Sequence, residues 1–510
     1  MREKQFARAL RSAAFIAFAI VALPLSAQSA AQGADQSTPP AASSDQSDDA
    51  LFGQPETVAP AATSSKEAEN KSDFLKYDQV KVGGTFTGTM GFTSVYADAW
   101  NGKTELFNPS QYYLSPQADG YITITAKPTT DFGVNMELRT SWPYYTTDSA
   151  LSSAYVVDGK AVTTSTSISI PDIDVWSLYA KFNWQDKVYF SAGKQPISWG
   201  VSKGAFQPAD DIFASSLIDL TDTSAQREGP LALKTTIPLG VTNNLYFYAG
   251  LPTNSGSTNS ALALTATGST STVDVDPADA RLAVKGEYGF GNTELALAGY
   301  YSYNDHPRAL FMGTTSLGSW NIYGEAILKY GSQRYFLSDD SGIVTGAQQS
   351  DQFYFTGTFG GYYTDADSGL TLMAQYLYNG EGQTAVSAED TLTYYLANPS
   401  DYDSIKLGTH YGFVSISDSN LWSSTLGKDK LGASLIVISN LSDFSGYVMP
   451  SVSWTFFDYM ILKIGATLNF GQSGAEYVTY GVGQSLNYLN LPTTCGAALT
   501  ASLTIGTGSF

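Results

Sequence analysis

Hydrophobic and polar residues alternate with a period of two along most of the chain after residue 80. The clearest stretch spans residues 460–470, and the stretches 131–139 and 281–290 follow the same pattern. In the first of them, one face carries Leu462, Ile464, Ala466, Leu468 and Phe470. Successive side chains of a β-strand point to opposite faces of the sheet. The pattern therefore predicts strands with one apolar and one polar face.

Eighteen segments of this kind follow one another, separated by links of two alternating lengths. The candidate strands lie at 80–97, 118–128, 131–142, 173–185, 187–194, 230–238, 244–251, 279–289, 292–303, 308–315, 318–330, 351–364, 368–379, 405–417, 429–440, 445–456, 459–470 and 497–510. Links after even-numbered strands are mostly short, whereas links after odd-numbered strands are mostly long, as at 143–172 and 195–229. This alternation is typical of outer-membrane barrels, whose short turns face the periplasm. We predict an all-β fold, a transmembrane antiparallel up-and-down β-barrel of about 18 strands, with about 16 as the alternative.

A half-solvated sheet of a soluble protein would show the same alternation, so further features are needed to choose a membrane barrel. Strand-like segments continue almost to the end of the chain, with no helical layer to cover them. Aromatic residues cluster near strand ends, as at Trp176 and Trp184 or Tyr376 and Tyr378, which is typical of the girdles of membrane barrels. In lipid the sheet must close, because an open edge would leave backbone groups unpaired.

The first 30 residues have the features of a secretory signal peptide. Arg2, Lys4, Arg8 and Arg11 precede a short apolar stretch at 12–25, which is followed by small residues. The apolar stretch is shorter than the roughly 20 residues that a transmembrane helix needs. Cleavage near 27–31 would export the chain, so residues 1–30 are predicted to be a signal peptide and the mature protein to reside in the bacterial outer membrane.

Residues 31–78 are rich in Ser, Ala, Pro, Gln and Asp and have few aromatic residues. Such a composition cannot bury enough apolar surface to order itself, which predicts a disordered, acidic periplasmic tail. A peptide that binds the cell wall or a partner is the alternative. The barrel would then occupy residues 79–510.

The amino-acid composition of the chain excludes several classes of protein function. Charged residues make up 15% of the chain, against about 25% in a typical soluble domain. The formal net charge of −20 argues against binding of nucleic acid. The one cysteine, Cys495, excludes a disulfide framework and, being far from the signal, a lipoprotein anchor.

The two histidines, His306 and His410, have no metal-type spacing, and no G-x-S-x-G motif occurs. We therefore predict no enzyme, no cofactor and no metal site, with a barrel hydrolase as a less favoured alternative.

A barrel of this size has a lumen wide enough for water. The alternation places these charged side chains inside it: Lys127, Glu137, Arg139, Lys181, Arg281, Lys285, Glu287, Glu294, Glu325, Lys329 and Lys463. It also keeps charge off the lipid face, where Lys or Arg at the midplane costs about 2–4 kcal/mol. Taken singly, each of these residues is most simply a solvated part of the lumen wall, with no ligand implied.

The long link 195–229 has the composition of a buried segment. Its apolar residues are Ile197, Trp199, Phe206, Ile212, Phe213, Leu217, Ile218 and Leu220. Exposing that surface to water would cost roughly 25 cal/mol per Å². We therefore predict that this third outward loop folds into the lumen, with an ordinary cell-surface loop as the alternative.

If the loop folds inward, it forms the pore constriction. The candidate constriction residues are Lys194, Trp199, Lys203, Asp210, Asp211, Asp219, Asp222, Arg227 and Glu228. The charged members are five acids and three bases. Because carboxylates lining a narrow pore favour cations, this set predicts a weak cation preference.

In its architecture from about residue 80 to 510, its signal and its terminal Phe510, the chain resembles Gram-negative outer-membrane porins. The third loop of typical porins narrows the pore, and their terminal aromatic residue is read during assembly. The run G-K-Q-x-x-x-W-G at 193–200 also resembles one found in exported barrels. The resemblance implies a channel for diffusion of small hydrophilic solutes.

The same resemblance implies the partners of the chain. These are outer-membrane lipid, the assembly machinery acting on the C-terminal strand that ends at Phe510, and other copies of the chain in a homotrimer. The alternative function is a surface-exposed barrel that acts as an adhesin through its loops. Active uptake with a plug is less favoured, because the N-terminal tail is too short to form a folded plug.

Overall fold

The computed structural model describes residues 80–95, 112–142, 149–157, 160–168, 173–214, 227–240, 242–251, 277–340, 343–365, 367–383, 407–457, 459–472, 475–479 and 496–506, and a few residues between 386 and 398. The predicted signal peptide, the predicted tail, Cys495, Asp219, Asp222 and Phe510 lie outside these ranges.

Eighteen strands form one closed antiparallel sheet. In chain order they are β1 (Val80–Val95), β2 (Tyr112–Thr129), β3 (Phe132–Trp142), β6 (Asp174–Trp184), β7 (Val188–Lys194), β8 (Leu231–Pro238), β9 (Asn243–Leu251), β10 (Arg281–Phe290), β11 (Thr293–Ser302), β12 (Asp305–Leu317), β13 (Trp320–Tyr330), β16 (Phe353–Asp365), β17 (Leu370–Asn379), β18 (His410–Asp418), β19 (Leu431–Asn440), β20 (Ser445–Phe457), β21 (Met460–Phe470) and β22 (Gly496–Ile505). Each of these strands pairs with the next, and β22 closes the barrel by pairing with β1. The predicted up-and-down barrel is confirmed, with eighteen strands rather than the alternative sixteen.

Two further hairpins, which we did not predict, lie in the outward loops. The hairpin of β4 (Ser149–Val157) and β5 (Lys160–Ile168) lies between β3 and β6. The hairpin of β14 (Tyr335–Asp340) and β15 (Ile343–Gln348) lies between β13 and β16.

Helical structure in the described ranges is confined to short turns. It includes the four-residue α-helices α1 (Ser423–Leu426) and α2 (Glu476–Thr479), the 3-10 turns Asp210–Ile212 and Pro277–Asp279, and helical residues between 390 and 394. No described helix is long and apolar enough to cross a membrane.

The outer face of the barrel carries the apolar side of the alternation. Phe86, Leu297, Phe311 and Phe359 are exposed there, with inward neighbours such as Glu325 on the other face. Aromatic pairs mark both ends of the strands. The rings of Trp320 and Tyr363 lie 5.2 Å apart at the turn end of β13 and β16, and those of Tyr330 and Phe353 lie 4.9 Å apart at the loop end. This arrangement suits a lipid-facing belt with an aromatic girdle at each rim.

The inward face is less uniformly polar than the alternation predicted. On β9–β13 and β17–β20 it includes buried apolar side chains, among them Tyr248, Met312, Phe413 and Ile438. The expectation of a polar inner face throughout is therefore wrong for these strands. The physical reason is that the third outward loop packs against this part of the inner wall, and Tyr477 of the last outward loop also packs against β18 and β20, so that this part of the wall is dry.

Candidate functional site: the pore constriction

The third outward loop enters the barrel directly after β7. Trp199 is 1% exposed, and Phe206 and Phe213 are both 0% exposed. The start of the loop is fixed by Gln195, whose backbone N–H donates to the Pro230 carbonyl at 3.1 Å and whose side-chain amide donates to the Ala232 carbonyl at 2.9 Å. The inward folding predicted from the loop's apolar composition is confirmed for its described residues, 195–214.

One end of the loop packs against the wall formed by β9 to β11. The Trp199 ring lies edge-on to Phe213 and to Tyr248, with centroid distances of 5.0 and 5.5 Å. Phe213 also lies edge-on to Tyr300 on β11, at 5.8 Å. The indole N–H of Trp199 is satisfied by the Ala209 carbonyl at 2.6 Å, so burial of this ring leaves no polar atom unpaired.

The other end of the loop packs against β17 and β18. The Phe206 ring lies 6.0 Å from Tyr411 and 6.5 Å from Phe413. Gln375 on β17 clamps the Phe206 backbone, because its amide oxygen accepts the Phe206 N–H at 3.0 Å and its amide nitrogen donates to the Phe206 carbonyl. The loop thus crosses from the β9 side of the barrel at Trp199 to the β18 side at Phe206, and it returns to the β9 side at Phe213.

Between these two contacts, a carboxylate on β13 holds the loop by its backbone. Glu325 accepts hydrogen bonds from the backbone N–H groups of Val201 at 2.7 Å, Ser202 at 2.8 Å and Ala209 at 3.0 Å. Glu325 is 4% exposed. It therefore lies beneath the loop and does not face open water.

A second carboxylate shapes the loop from within. Asp210 accepts hydrogen bonds from the backbone N–H groups of Trp199 and Gly200, each at 2.7 Å, and lies 3.2 Å from the Ser198 hydroxyl. Burial raises the pKa of the Asp210 carboxyl above its ordinary value, and these backbone donors act in the opposite direction.

Gly200 lies where the two carboxylates approach each other, and a side chain there would collide with them. A Cβ at this position would lie 2.5 Å from Glu325 Oε1 and 3.2 Å from Asp210 Oδ1. We expect Gly200→Ala to destabilise the protein by an amount on the order of 1–3 kcal/mol, the usual cost of overpacking. Thermal unfolding in detergent would measure the loss. Gly286→Ala on β10 is the matched control, since a Cβ there meets nothing within 4 Å. Equal stability of the two variants would contradict the expectation.

Of the charged residues predicted to line the constriction, those that the structure describes are mostly paired. Lys194 Nζ lies 2.5 Å from Glu228, and Arg227 lies 2.7 Å from Asp211. Lys203 is exposed, and its backbone carbonyl accepts a hydrogen bond from the Tyr323 hydroxyl at 2.8 Å. With Asp210 buried, simple counting of acids and bases overstates the charge that this part of the loop presents to the lumen.

Several residues predicted to line the lumen instead support the loop or the wall. Lys285 donates to the Trp199 carbonyl at 2.9 Å and lies 3.1 Å from Glu287, and Arg281 donates to the Ile212 carbonyl at 2.9 Å. Lys181 is buried with its ammonium 5.6 Å from the centre of the Tyr179 ring.

Elsewhere on the wall, Lys329 lies 2.5 Å from Glu381 of the loop that follows β17. Arg139 pairs with Glu137 at 2.5 Å and has a partly exposed side chain. Lys127, near the turn end of β2, is exposed. Within the described ranges, no group of three or more His, Cys, Asp or Glu side chains is placed to hold a metal ion.

Another buried acid, which the sequence pattern did not reveal, lies at the outer end of the barrel. Glu476 in α2 accepts hydrogen bonds from the Tyr411 hydroxyl at 2.6 Å and from the Asn440 side-chain amide at 2.8 Å. The backbone N–H groups of Leu407 and Gly408 lie 3.3 Å from the same carboxylate. Burial raises the pKa of Glu476 to about 7.

The neighbour of this acid is also buried. Tyr477 lies edge-on between Tyr411 and Tyr447, at centroid distances of 6.5 and 5.2 Å. Together, Glu476 and Tyr477 dock the last outward loop against β18, β19 and β20. We call this contact the outer latch.

The strands on either side of the barrel closure have a different inner surface. Inward residues there are mainly hydroxyl, amide and charged side chains, such as Thr85, Thr87, Thr125 and Asn135. Tyr121 on β2 is 40% exposed although it faces inward, opposite Arg139 of β3. This wall, formed by β1–β3 with β21 and β22, is the wetted wall of the barrel.

No known protein family matches the sequence, and no curated protein matches it. Solved structures do resemble its fold. The crystal structure of Acinetobacter baumannii OccAB1 aligns with a TM-score of 0.46 at 12% identity, covering 86% of this chain and 98% of that one. The Pseudomonas aeruginosa outer membrane protein opdK aligns with a TM-score of 0.42 at 8% identity, covering 85% and 99%. A BenF-like porin from Pseudomonas fluorescens Pf-5 aligns with a TM-score of 0.43 at 10% identity, covering 84% and 99%.

Proposed function

We propose that this chain is an outer-membrane channel through which small hydrophilic solutes diffuse. The observation that carries the proposal is the asymmetry of the barrel interior. The third outward loop packs against β9–β13, β17 and β18, whereas the wetted wall carries polar inward side chains, of which Tyr121 is well exposed. A closed barrel with an apolar outer face and one polar inner wall suits an aqueous path beside a constriction loop.

The remaining parts of the proposal concern assembly and location. The chain is exported by its signal peptide, residues 1–30, and resides in the outer membrane, with the tail at 31–78 in the periplasm. The assembly machinery reads the C-terminal strand that ends at Phe510, and three copies form a homotrimer.

Conductance of the purified, refolded protein in planar lipid bilayers tests the proposal. Stepwise insertion of open channels in KCl is the expected result. A barrel that inserts, as judged by protease protection in vesicles, but conducts no ions would refute the channel. It would favour the alternative of a surface-exposed adhesin.

We further expect a weak preference for cations. The support is the formal net charge of −20, the side chain of Asp211, which is 39% exposed, and the two further acids in the loop, Asp219 and Asp222. Lys203 is the exposed base that acts against this preference.

Reversal potentials in a KCl gradient would measure the preference. Asp219→Asn with Asp222→Asn should shift the reversal potential toward anion selectivity, and Lys203→Gln should shift it toward stronger cation selectivity. The physical reason is that each change alters the fixed charge of the loop that we propose to form the constriction. Clear anion selectivity of the unmodified protein would contradict the expectation.

A further inference from the structure

On the wetted wall, one arginine is held rigidly and still faces the lumen. Arg139 lies three residues before the outer end of β3, directly opposite Tyr121 of β2. Its guanidinium carbon lies 3.7 Å from the centre of the Trp176 ring and 5.8 Å from that of Tyr121. The side chain is 34% exposed. Stacking on an aromatic face fixes the plane of the guanidinium and leaves its edge for hydrogen bonds.

A carboxylate lies at the same place. Glu137 is two residues earlier on the same face of β3, and its Oε1 accepts a hydrogen bond from Arg139 Nε at 2.5 Å. The side chain of Glu137 is 13% exposed. The bond uses the Nε edge of the guanidinium, so the two terminal nitrogens of Arg139 are available to an acceptor from the lumen.

One other ion pair in the described part of the barrel has a similar arrangement, since Arg308 lies 5.1 Å from the centre of the Tyr300 ring and pairs with Asp305. Its side chain is only 19% exposed, however, and the bond to Asp305 uses a terminal nitrogen of the guanidinium. The side chains of Lys194 and Glu228 are 11% and 9% exposed, so that pair is enclosed. Lys285 is 7% exposed and already donates to the Trp199 carbonyl. Among the ion pairs described, Arg139 is the most exposed cation.

We propose that Arg139, Glu137, Trp176 and Tyr121 form a binding subsite for small zwitterionic solutes that carry both a carboxylate and an ammonium group. The inference rests on the proposed channel function. The carboxylate of the solute would accept two hydrogen bonds from the terminal nitrogens of Arg139, in the bidentate geometry that guanidinium favours. Its ammonium would bind Glu137, and an apolar body would lie against the exposed ring of Tyr121.

The Glu137 carboxylate beside Arg139 determines which class of charged solute the subsite would bind. A simple anion would bring a second carboxylate close to Glu137, and Arg139 alone would have to offset the charge of both carboxylates. A simple amine would meet the guanidinium with the same difficulty. A zwitterion satisfies both groups at once, so the pair selects for it and against each singly charged analogue. The competing interpretation is that Arg139 and Glu137 only stabilise the wall.

The test uses the full-length barrel in planar bilayers with three probes of similar size: phenylalanine, phenylacetate and phenethylamine. Phenylalanine is expected to reduce the ion current in a saturable manner, at lower concentration than either singly charged probe. Arg139→Lys keeps the positive charge and removes the bidentate hydrogen bonding. The phenylalanine concentration for half-maximal block should therefore rise about tenfold. Glu137→Gln should also weaken the block by phenylalanine and should improve the block by phenylacetate.

Lys127→Gln is the matched control, because it removes one positive side chain from the neighbouring strand without altering the subsite. Its block by phenylalanine should equal that of the unmodified channel. Equal block by all three probes, or an unchanged block in Arg139→Lys, would overturn the subsite while leaving the channel intact. Failure of the unmodified protein to conduct would instead remove the proposed function itself.

Discussion

Glu325→Ala should release the constriction loop and give the channel a larger, noisier conductance. The substitution removes the acceptor of three backbone N–H groups, those of Val201, Ser202 and Ala209. Each lost bond to a charged acceptor costs on the order of 1.5–3 kcal/mol when its donor stays buried. The loop can regain those bonds only by moving its backbone into water. We therefore expect the docked loop to become a minor state, although the wall of the barrel remains closed.

Single-channel recordings in KCl measure this change, and limited proteolysis of the loop measures its release independently. Glu294→Ala is a suitable control, because Glu294 is another predicted inward acid, on β11, two strands away from β13. The control removes the same charge without removing the loop's anchor. Unchanged conductance together with unchanged protease resistance in Glu325→Ala would show that the apolar contacts of Trp199 and Phe206 are sufficient to hold the loop.

The inward folding of this loop could be predicted because it depends on composition. Trp199, Phe206 and Phe213 are too apolar for a surface loop, and all three are buried. The anchor could not be predicted in the same way. Glu325 follows the alternation of β13 like any other inward acid, and its partners lie 116 to 124 residues earlier in the chain. Such pairing depends on how the loop crosses the barrel, which strand periodicity does not encode.

Charge counting is less informative than composition for a related reason. Five acids and three bases suggested a negative constriction, yet Asp211 and Glu228 each pair with a neighbouring base and Asp210 is buried. The net charge of a loop is additive along the sequence, whereas the field in the lumen depends on which charges neutralise one another. The sequence pattern did not predict the buried contacts of Glu476 and Tyr477, because the four-residue helix α2 is too short to show a helical period.

The eighteen strands, in contrast, followed directly from the alternation. Closing a barrel in lipid demands that every strand present one apolar face outward, so the pattern is repeated in each strand. The outward hairpins β4–β5 and β14–β15 are not subject to that demand. Their sequences, such as the Thr- and Ser-rich stretch of Lys160–Ile168, therefore resemble ordinary polar loops.

The outer latch should weaken as pH rises from about 4.5 to 7. Burial raises the pKa of Glu476 from 4.5 in water to about 7 in the latch. A carboxyl whose pKa is higher in the docked state binds its proton more tightly there, so docking is favoured fully at pH values below 4.5. That advantage is lost progressively up to pH 7 and is absent above it. The total change is about 3 kcal/mol for a shift of this size.

The groups that face Glu476 allow the direction of this pH effect on docking to be tested. Burial raises the pKa of Tyr477, so its hydroxyl stays neutral over this range of pH. Tyr411 donates its hydroxyl to the Glu476 carboxylate, and Asp443 accepts the Glu476 backbone N–H at 2.8 Å. We expect channel recordings at pH 5 to show a quiet current and recordings at pH 8 to show fluctuations from an undocking loop. Glu476→Gln cannot ionise, so its current should have the same character at both values.

Tyr477→Leu provides a second test of the latch. It retains the acid but removes a ring that packs edge-on against Tyr411 and Tyr447. Its fluctuations should increase at every pH, while the difference between pH 5 and pH 8 persists, since Glu476 is still present. A pH response that survives in Glu476→Gln would show that another group controls the outer mouth. The comparison of the two variants therefore separates the titrating group from the packing that holds it.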